Sequence, residues 1–390
     1  MTQSKRLEQL LRTAGVAALV MTLVTEPASA QRDVPRTTLS DPVATVAEPF
    51  SGIAGFRVLS DGRVLVADPI EQALWRVDPE AGTKEQLGRQ GQGPGEYEMP
   101  GGLFGLPGDT TLMLDRLNRR LTVVLPDGRL STSTIPLRMP SGMPMFPRGV
   151  DDQGRIYFDL AGIQMQGLEE AAASGLAPLL RWNPATDIVD TLGAVSFPPL
   201  PGRPGPGEMR VSIGGSGPYS GRDEWAVTDD GRVGIARYRD YHVEWLSVGA
   251  DPVVGPPVRY EPVEIGRAEQ EAWADQMATR GLVVEVENGR RRVGRPPRPD
   301  IDRQEFPEVM PPFLSGAASV SPNGELWVER ARAADAEQRV YDVFDRNGRL
   351  VRQVVTPANV RILGFGDRTA YAARIDDDDL EWLEVYRMEG

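Results

Sequence analysis

The sequence predicts an all-β protein, a six-bladed β-propeller built from four-stranded antiparallel blades. A recurring unit is the main observation: an apolar strand, a tight turn, and a second apolar strand that ends in a polar or charged residue. Most units then continue into two further β-prone segments joined by a short turn. Four-stranded sheets of this kind cannot bury both faces alone, so they pack radially around an axis. The six copies of the unit are Phe56–Asp68, Gly102–Asp115, Arg148–Asp159, Glu224–Arg237, Ala318–Arg330 and Ile362–Arg374.

The residue types within each copy justify the strands and turns in order. Apolar residues alternate with polar ones over short runs, which favours strands over helices. Asp-Gly and Asn-Gly pairs supply the positive φ angles that tight hairpins need. In the second copy, TLMLD is followed by LTVVL, the turn PDGR and LSTSTI. Each unit therefore corresponds to one antiparallel meander.

The two ends of the chain are expected to meet. The sixth copy runs through ILGFG, TAYAA and LEWLEVYRM and ends one strand short of a full blade. The β-prone segment Pro42–Glu48 precedes the first blade and has no other assignment. We expect it to form the outer strand of the sixth blade, which removes an exposed sheet edge.

Residues 1–30 have the pattern of a signal peptide. Lys5, Arg6 and Arg12 precede an apolar run, Ala14–Val24, and a small-residue cleavage pattern at residues 28–30. The run is too short to span a bilayer. The sequence thus predicts a periplasmic or secreted protein whose residues 31–390 form a single propeller domain, with no membrane association once the signal is removed.

Composition limits the partners. The chain carries a net charge of −13, which argues against nucleic acid as a partner. It contains no cysteine, so disulfides are excluded and stability must come from a packed core.

The second blade carries a family resemblance. LGRQGQGPGEYEMP (Leu87–Pro100), followed by LMLDRLNRRLTVVLPDGRL (Leu112–Leu130), resembles the NHL-repeat β-propellers, and the chain is similar to six-bladed propellers common among exported bacterial proteins. The likeness is close in the second blade, moderate in the first and fifth, and weak in the others. It implies a fold and little about activity.

Strand direction places the loops. In an up-and-down blade, the turns after the first and third strands share one face, and all other connections share the opposite face. The first set holds the short Asp-Gly and Asn-Gly turns. The second set holds residues 89–102 and the insertions 161–178, 197–222 and 258–312. Apolar spacing over Ile265–Met277 predicts a short amphipathic helix, with Trp273 and Met277 packed on the propeller. A capped pocket on this face is the expected binding site.

The second strands end in a polar ring at the insertion-bearing face. These residues either form ion pairs between blades or contribute to a ligand site, in which Asp68, Asp115, Asp159 and Glu329 could bind Ca²⁺. No cofactor is expected otherwise. The candidate ligand-binding residues are Asp68, Asp115, Asn118, Arg119, Asp159, Arg237, Tyr241, Glu329 and Arg374.

A run of arginines in the largest insertion is a second candidate. Arg290, Arg291 and Arg292 either belong to a solvated loop or bind an anionic ligand through bidentate guanidinium contacts.

No familiar catalytic pattern is present in the sequence. His242 is the single histidine and is expected to be structural, there is no G-x-S-x-G motif, and the glycine-rich segments lack a P-loop ending. The sequence therefore predicts a non-catalytic module that binds a protein, peptide or small molecule at its loop-rich face. The alternative is a metal-dependent hydrolase or lactonase with a site at the channel mouth.

Overall fold

The computed structural model describes residues 34–39, 41–139, 142, 145–164, 173–199, 210–211, 217–287 and 290–388. The predicted signal peptide lies outside these ranges, as do residues 165–172, 200–209 and 212–216 of two insertions. Val34–Gly390 forms one compact unit. Within the described ranges, no helix has the length and apolar character needed to cross a membrane.

The predicted six-bladed propeller is confirmed. Two short strands come first: β1 (Arg36–Thr38) and β2 (Ala44–Thr45). The first blade comprises β3 (Gly55–Val58), β4 (Val64–Asp68), β5 (Ala73–Asp78) and β6 (Thr83–Leu87), and the second β7 (Pro100–Gly105), β8 (Thr111–Asp115), β9 (Arg120–Val124) and β10 (Leu130–Pro136). The third comprises β11 (Gly149–Val150), β12 (Ile156–Asp159), then, after the insertion strand β13 (Ile163–Gln164), β14 (Leu176–Asn183) and β15 (Ile188–Ser196).

The second half of the chain repeats this order. After the insertion strand β16 (Arg210–Val211), the fourth blade comprises β17 (Glu224–Val227), β18 (Val233–Arg237), β19 (His242–Leu246) and β20 (Val253–Val254). The largest insertion then supplies α1 (Arg267–Arg280), β21 (Val283–Glu287), β22 (Arg290–Gly294) and a 3-10 turn at Ile301–Arg303. The fifth blade comprises β23 (Phe313–Val320), β24 (Leu326–Arg330), β25 (Gln338–Phe344) and β26 (Leu350–Pro357), and the sixth β27 (Val360–Phe365), β28 (Thr369–Ile375) and β29 (Glu381–Arg387).

The N-terminal segment joins the last two blades. Strand β2 pairs antiparallel with β29 and occupies the outer position of the sixth blade, within the segment predicted to do so. The pairing covers only two residues, although Val46 N–H also donates to Leu383 O at 2.9 Å. Strand β1 was not predicted; it pairs parallel with β26 as a fifth strand of the fifth blade.

The hydrophobic core lies between the faces of neighbouring blades. One cluster joins Val64 and Val77 of the first blade to Tyr371 and Leu383 of the sixth, and Phe50 of the N-terminal approach is fully buried in it. The inner strands of the first five blades contact each other in sequence, and β27 of the sixth blade contacts β3 of the first and β26 of the fifth. Packing between blades therefore closes the ring and leaves the inner strands around the axis.

Candidate functional site

A cavity of about 530 Å³ lies on the insertion-bearing face. Its floor includes Pro69 after β4, Glu329 at the end of β24 and Ile375 at the end of β28, so it opens over the ends of second strands in blades one, five and six. Helix α1 forms one wall through residues one turn apart, Ala272, Gln276 and Thr279. Its size is in the range of small-molecule sites.

The predicted helix therefore exists, but it covers the cavity with small and polar side chains. Its sequence, RAEQEAWADQMATR, holds few apolar residues, so it is less amphipathic than the spacing suggested. Trp273 packs edge-on against Phe306 of the same insertion, with ring centroids 5.5 Å apart. The insertion of residues 258–312, called the cap below, thus has a small apolar contact of its own beside the cavity.

Polar contacts tie the cap to the blades. Glu269 at the start of α1 accepts the N–H of Ala334 in the fifth blade through Oε1 at 3.3 Å. Its backbone carbonyl accepts the hydroxyl of Tyr219 at 2.6 Å. On the opposite side, Arg295 Nη2 donates to the carbonyl of Ser51 at the entry to the first blade, at 2.8 Å. The cap is therefore anchored on both sides of the cavity.

A wide bulge in β23 lies directly opposite Glu329. Phe313 pairs with Arg330 and Ala318 pairs with Val328, so residues 314–317 face a single residue of β24. All four bulge residues line the cavity together with Glu329. Gly316 has φ +83°, a conformation that glycine adopts without strain, and a Cβ there would meet open space. Bulges of this kind interrupt the ladder and are enriched beside active sites.

The Glu329 carboxylate is held at both oxygens. Arg339 Nη1 donates to Oε1 at 2.5 Å, and the Tyr341 hydroxyl donates to Oε2 at 3.3 Å. Burial, followed by the charge of Glu329, raises the pKa of Tyr341 well above its usual value. Tyr341 therefore stays a neutral donor, and Glu329 is fixed at the cavity wall.

Arginines dominate the charge of the lining. Arg361 pairs with Glu381 at 3.1 Å, and Arg330 Nε donates to Asp342 at 2.7 Å. Arg332 has no hydrogen bond or ion pair with any described residue. Burial, together with the charge of nearby Arg339, lowers the pKa of Arg332. Along the cavity, arginines thus outnumber the carboxylates of Glu329, Asp379 and Glu381; they are Arg295, Arg330, Arg332, Arg339 and Arg361.

Asp68 of the predicted ring is buried and serves the backbone. Its carboxylate accepts four N–H groups, from Ser51 and Gly52 on one oxygen and from Ile70 and Glu71 on the other, at 2.8–3.1 Å. Burial raises the pKa of Asp68 to about 6 although these hydrogen bonds oppose the shift.

Asp115 plays the same part in the second blade. It accepts the N–H of Glu98 at 3.1 Å, the amide of Asn118 at 2.7 Å and Arg120 Nε at 3.3 Å. Asn118 also donates to the carbonyl of Gly91 at 3.0 Å. Arg119 is exposed and has φ +52° in the turn after β8. Asp115 and Asn118 therefore hold the segment that leads into the second blade against the end of β8.

Ion pairs occupy the ring positions of the third, fourth and sixth blades. Asp159 accepts Arg148 Nη1 and Arg222 Nη2 at 3.2 Å. Arg237 pairs with Asp223 and Glu244, and Arg374 with Glu384, at 2.6–2.7 Å. Tyr241 is fully buried and donates to Asp342 at 2.6 Å. Of the predicted ligand-binding residues, Glu329 is the one found in the cavity lining among the described residues.

The calcium hypothesis does not fit these contacts. Arginine or backbone N–H groups engage the carboxylates of Asp68, Asp115, Asp159 and Glu329, each within its own blade or at the entry to it. Across the described ranges, no group of three or more acidic or histidine side chains is arranged to hold a metal ion. His242 lies between Glu244 at 3.0 Å and Asp240 at 3.1 Å. The ring positions are therefore occupied by ion pairs and, at Asp68, by hydrogen bonds from backbone N–H groups.

The predicted anion cluster of Arg290, Arg291 and Arg292 stays a prediction. Arg290, Arg291 and Arg292 belong to β22, which pairs with β21, but their side chains lie outside the described part of the structure. Sequence analysis did not group the cavity arginines, because they come from three separated segments, residues 295, 330–339 and 361. Arg330 and Arg332 follow the second strand of the fifth blade, a position that the sequence could have flagged.

Comparisons with known proteins found similar solved structures of low sequence identity. No protein-family model and no curated protein sequence matches the chain. The chain is similar to a calcium-binding protein, regucalcin, from Agrobacterium tumefaciens, with 11% identity, TM-score 0.42 and coverage of 90% of this chain and 97% of that one. It is similar to a gluconolactonase from Xanthomonas campestris, with 10% identity, TM-score 0.42 and coverage of 91% and 99%. A luciferin-regenerating enzyme gives 9%, TM-score 0.41 and coverage of 90% and 98%.

These neighbours contradict the prediction of a non-catalytic binding module. That prediction rested on the absence of a familiar catalytic pattern, yet proteins of similar fold are named as a gluconolactonase and a luciferin-regenerating enzyme. The binding-module interpretation is therefore withdrawn. At this level of identity the likeness shows the fold alone.

Proposed function

We propose that the protein is a hydrolase that acts on lactones or related esters of small molecules, in the cavity under α1. The wide bulge of β23 opposite Glu329 carries this proposal, because it brings a carboxylate and interrupted strand backbone to one wall of the cavity. Ester hydrolysis requires these two elements: a base for water and donors for the oxyanion.

Each part has a place in the reaction. The Glu329 carboxylate is the candidate general base, which takes a proton from water as the water oxygen attacks the ester carbonyl. Arg339 and Tyr341 hold that carboxylate in position. Backbone N–H groups of residues 314–317 are the candidate donors to the tetrahedral oxyanion. Protonated Glu329 then returns its proton to the leaving alkoxide, so that the base is regenerated.

No step is assigned to a metal ion, because the described carboxylates do not fit one. The broader expectations from the sequence stay predictions: export through residues 1–30, action outside the cytoplasm and membership of the NHL-repeat propellers. The ligand at the loop-rich face is proposed here to be a small molecule.

The test is lactone hydrolysis by the purified protein. Proton release in a pH-stat is measured on aldonolactones and aliphatic lactones, with the wild type, Glu329→Gln and Glu337→Gln. Loss of a general base lowers kcat by about 10²–10⁴-fold. Glu337 is exposed in the same blade, so its variant is the matched control and should retain wild-type rates. Equal rates in the two variants, or no turnover by the wild type, would refute the proposal.

A further inference from the structure

The cavity has an excess of positive charge in an acidic protein. The whole chain carries −13. Within the lining, however, five arginines face three carboxylates. Such a local reversal concentrates anions in a pocket whose walls exclude part of the solvent.

Most of these arginines have partners. Arg339 pairs with Glu329, Arg361 pairs with Glu381, and Arg330 donates to Asp342. Arg295 is exposed and donates to the Ser51 carbonyl. Their positions are explained by contacts within the protein.

Arg332 differs from the others. It is half-buried at the cavity wall, and no described residue forms a hydrogen bond or ion pair with it. Its nearest charges include Arg339, which repels it, and Glu329, which Arg339 already neutralises. A guanidinium placed this way is costly to the fold, since a half-buried charge needs a partner. Its five N–H donors match the oxygens of a carboxylate.

We infer that Arg332 is the anchor for a small organic monocarboxylate, which forms an ion pair with its guanidinium inside the cavity. A single uncompensated guanidinium matches a single negative charge, which favours a carboxylate over a phosphate dianion. This inference rests on the proposed function: opening a lactone produces a hydroxy acid, so the anion held by Arg332 is either the product or a carboxylate carried by the substrate.

The test measures binding without turnover. Isothermal titration calorimetry with an aldonate, the opened form of an aldonolactone, compares the wild type with Arg332→Met, Arg332→Lys and Arg303→Met. Loss of a hydrogen-bonded charge partner should weaken aldonate binding about 10- to 100-fold in Arg332→Met. Arg332→Lys should recover part of it. Arg303 pairs with Asp300 on the exposed side of the cap, so its variant controls for charge alone and should bind as the wild type does.

Thermal unfolding separates binding from a structural role. If Arg332 binds a ligand and has no partner in the free protein, Arg332→Met removes an unpaired charge and the Tm of the free protein should rise. If Arg332 only supports the fold, the Tm should fall. Unchanged aldonate affinity or a lower Tm in Arg332→Met would overturn the inference, as would inorganic phosphate that binds through Arg332 where aldonate does not.

The two proposals fail differently. Aldonate binding that depends on Arg332, with no lactone turnover by the wild type, supports the anion site and refutes the hydrolase. Turnover that depends on Glu329, with aldonate affinity unaffected by Arg332→Met, supports the hydrolase and refutes the anion site.

Discussion

Replacing Asp159 with asparagine tests whether the polar ring at the channel mouth supports the fold or binds ligand. The side chain is buried and accepts Arg148 and Arg222 at 3.2 Å and Trp225 Nε1 at 2.8 Å. Asparagine has almost the same volume, so the substitution removes the charge and turns an NH₂ group toward donors. Two arginines would then share the single carboxylate of Glu224.

Removing one partner from a buried ion pair costs about 3–5 kcal/mol. We expect the lower end, about 3 kcal/mol, because Glu224 stays in place and the Arg148 side chain is 27% exposed. The pH dependence follows from the same contacts. Burial alone would raise the pKa of Asp159, but Arg148 and Arg222 outweigh it and lower the pKa. The contribution to stability is therefore present above about pH 4 and is lost as pH falls through the folded-state pKa.

The assay is urea unfolding followed by tryptophan fluorescence at several pH values. Asp127→Asn is the control, since Asp127 is exposed in a turn and its side chain pairs with the neighbouring Arg129. That variant should keep nearly wild-type stability, because solvent screens an exposed ion pair. The structural assignment fails if Asp159→Asn unfolds like the control at pH 7, or if it keeps wild-type stability and loses aldonate binding.

Two further predictions concern the first blade. Lys84 Nζ lies 3.2 Å from Glu48, 3.1 Å from the Pro49 carbonyl, and under 5 Å from the ring centres of Phe50 and Trp75. Lys84→Met should lower the free energy of unfolding by about 1–3 kcal/mol. Glu48→Gln should lower it by less than about 1 kcal/mol, because the Glu48 side chain is 71% exposed. Equal melting temperatures of the two variants would contradict this prediction. The pKa of Asp68 is raised to about 6, so its carboxyl group ionises less readily in the folded state than in the unfolded state. Its contribution to the free energy of unfolding should therefore fall by up to about 3 kcal/mol as pH rises from about 4 to 6. The stability advantage of the wild type over Asp68→Asn should shrink over that range, and a constant difference would count against the raised pKa.

The fold could be predicted because its signals are local. Tight turns such as Asp61-Gly62 and Asn347-Gly348 require positive φ, and Gly62 and Gly348 adopt it at +85° and +71°. The outer strand at Ala44–Thr45 followed from counting strands in the last blade. Strand β1 was not predicted from the sequence, because a three-residue parallel strand added to an existing sheet edge requires neither a turn motif nor an apolar–polar alternation.

The cavity was harder to predict. Its general place followed from the insertions, but its chemistry depends on which polar side chains find partners. Asp68 and Glu329 both end second strands, yet one satisfies backbone N–H groups and the other lines the cavity. Glu329 also lies opposite the β23 bulge, which arises from pairing between two strands and is not visible in the pattern of either strand alone.

The attachment of the first residues to the last two blades sets an order of assembly. Arg36 pairs with Gln353 and Ala44 with Val385, so these contacts join residues more than 300 positions apart. Contacts of such sequence separation form slowly and late. A chain still growing or still unfolded at its C-terminal end therefore lacks both the edge that receives β1 and the strand that receives β2. The blades that these strands complete also carry Glu329, Arg332 and Arg361, so the cavity is complete only after the whole chain is present.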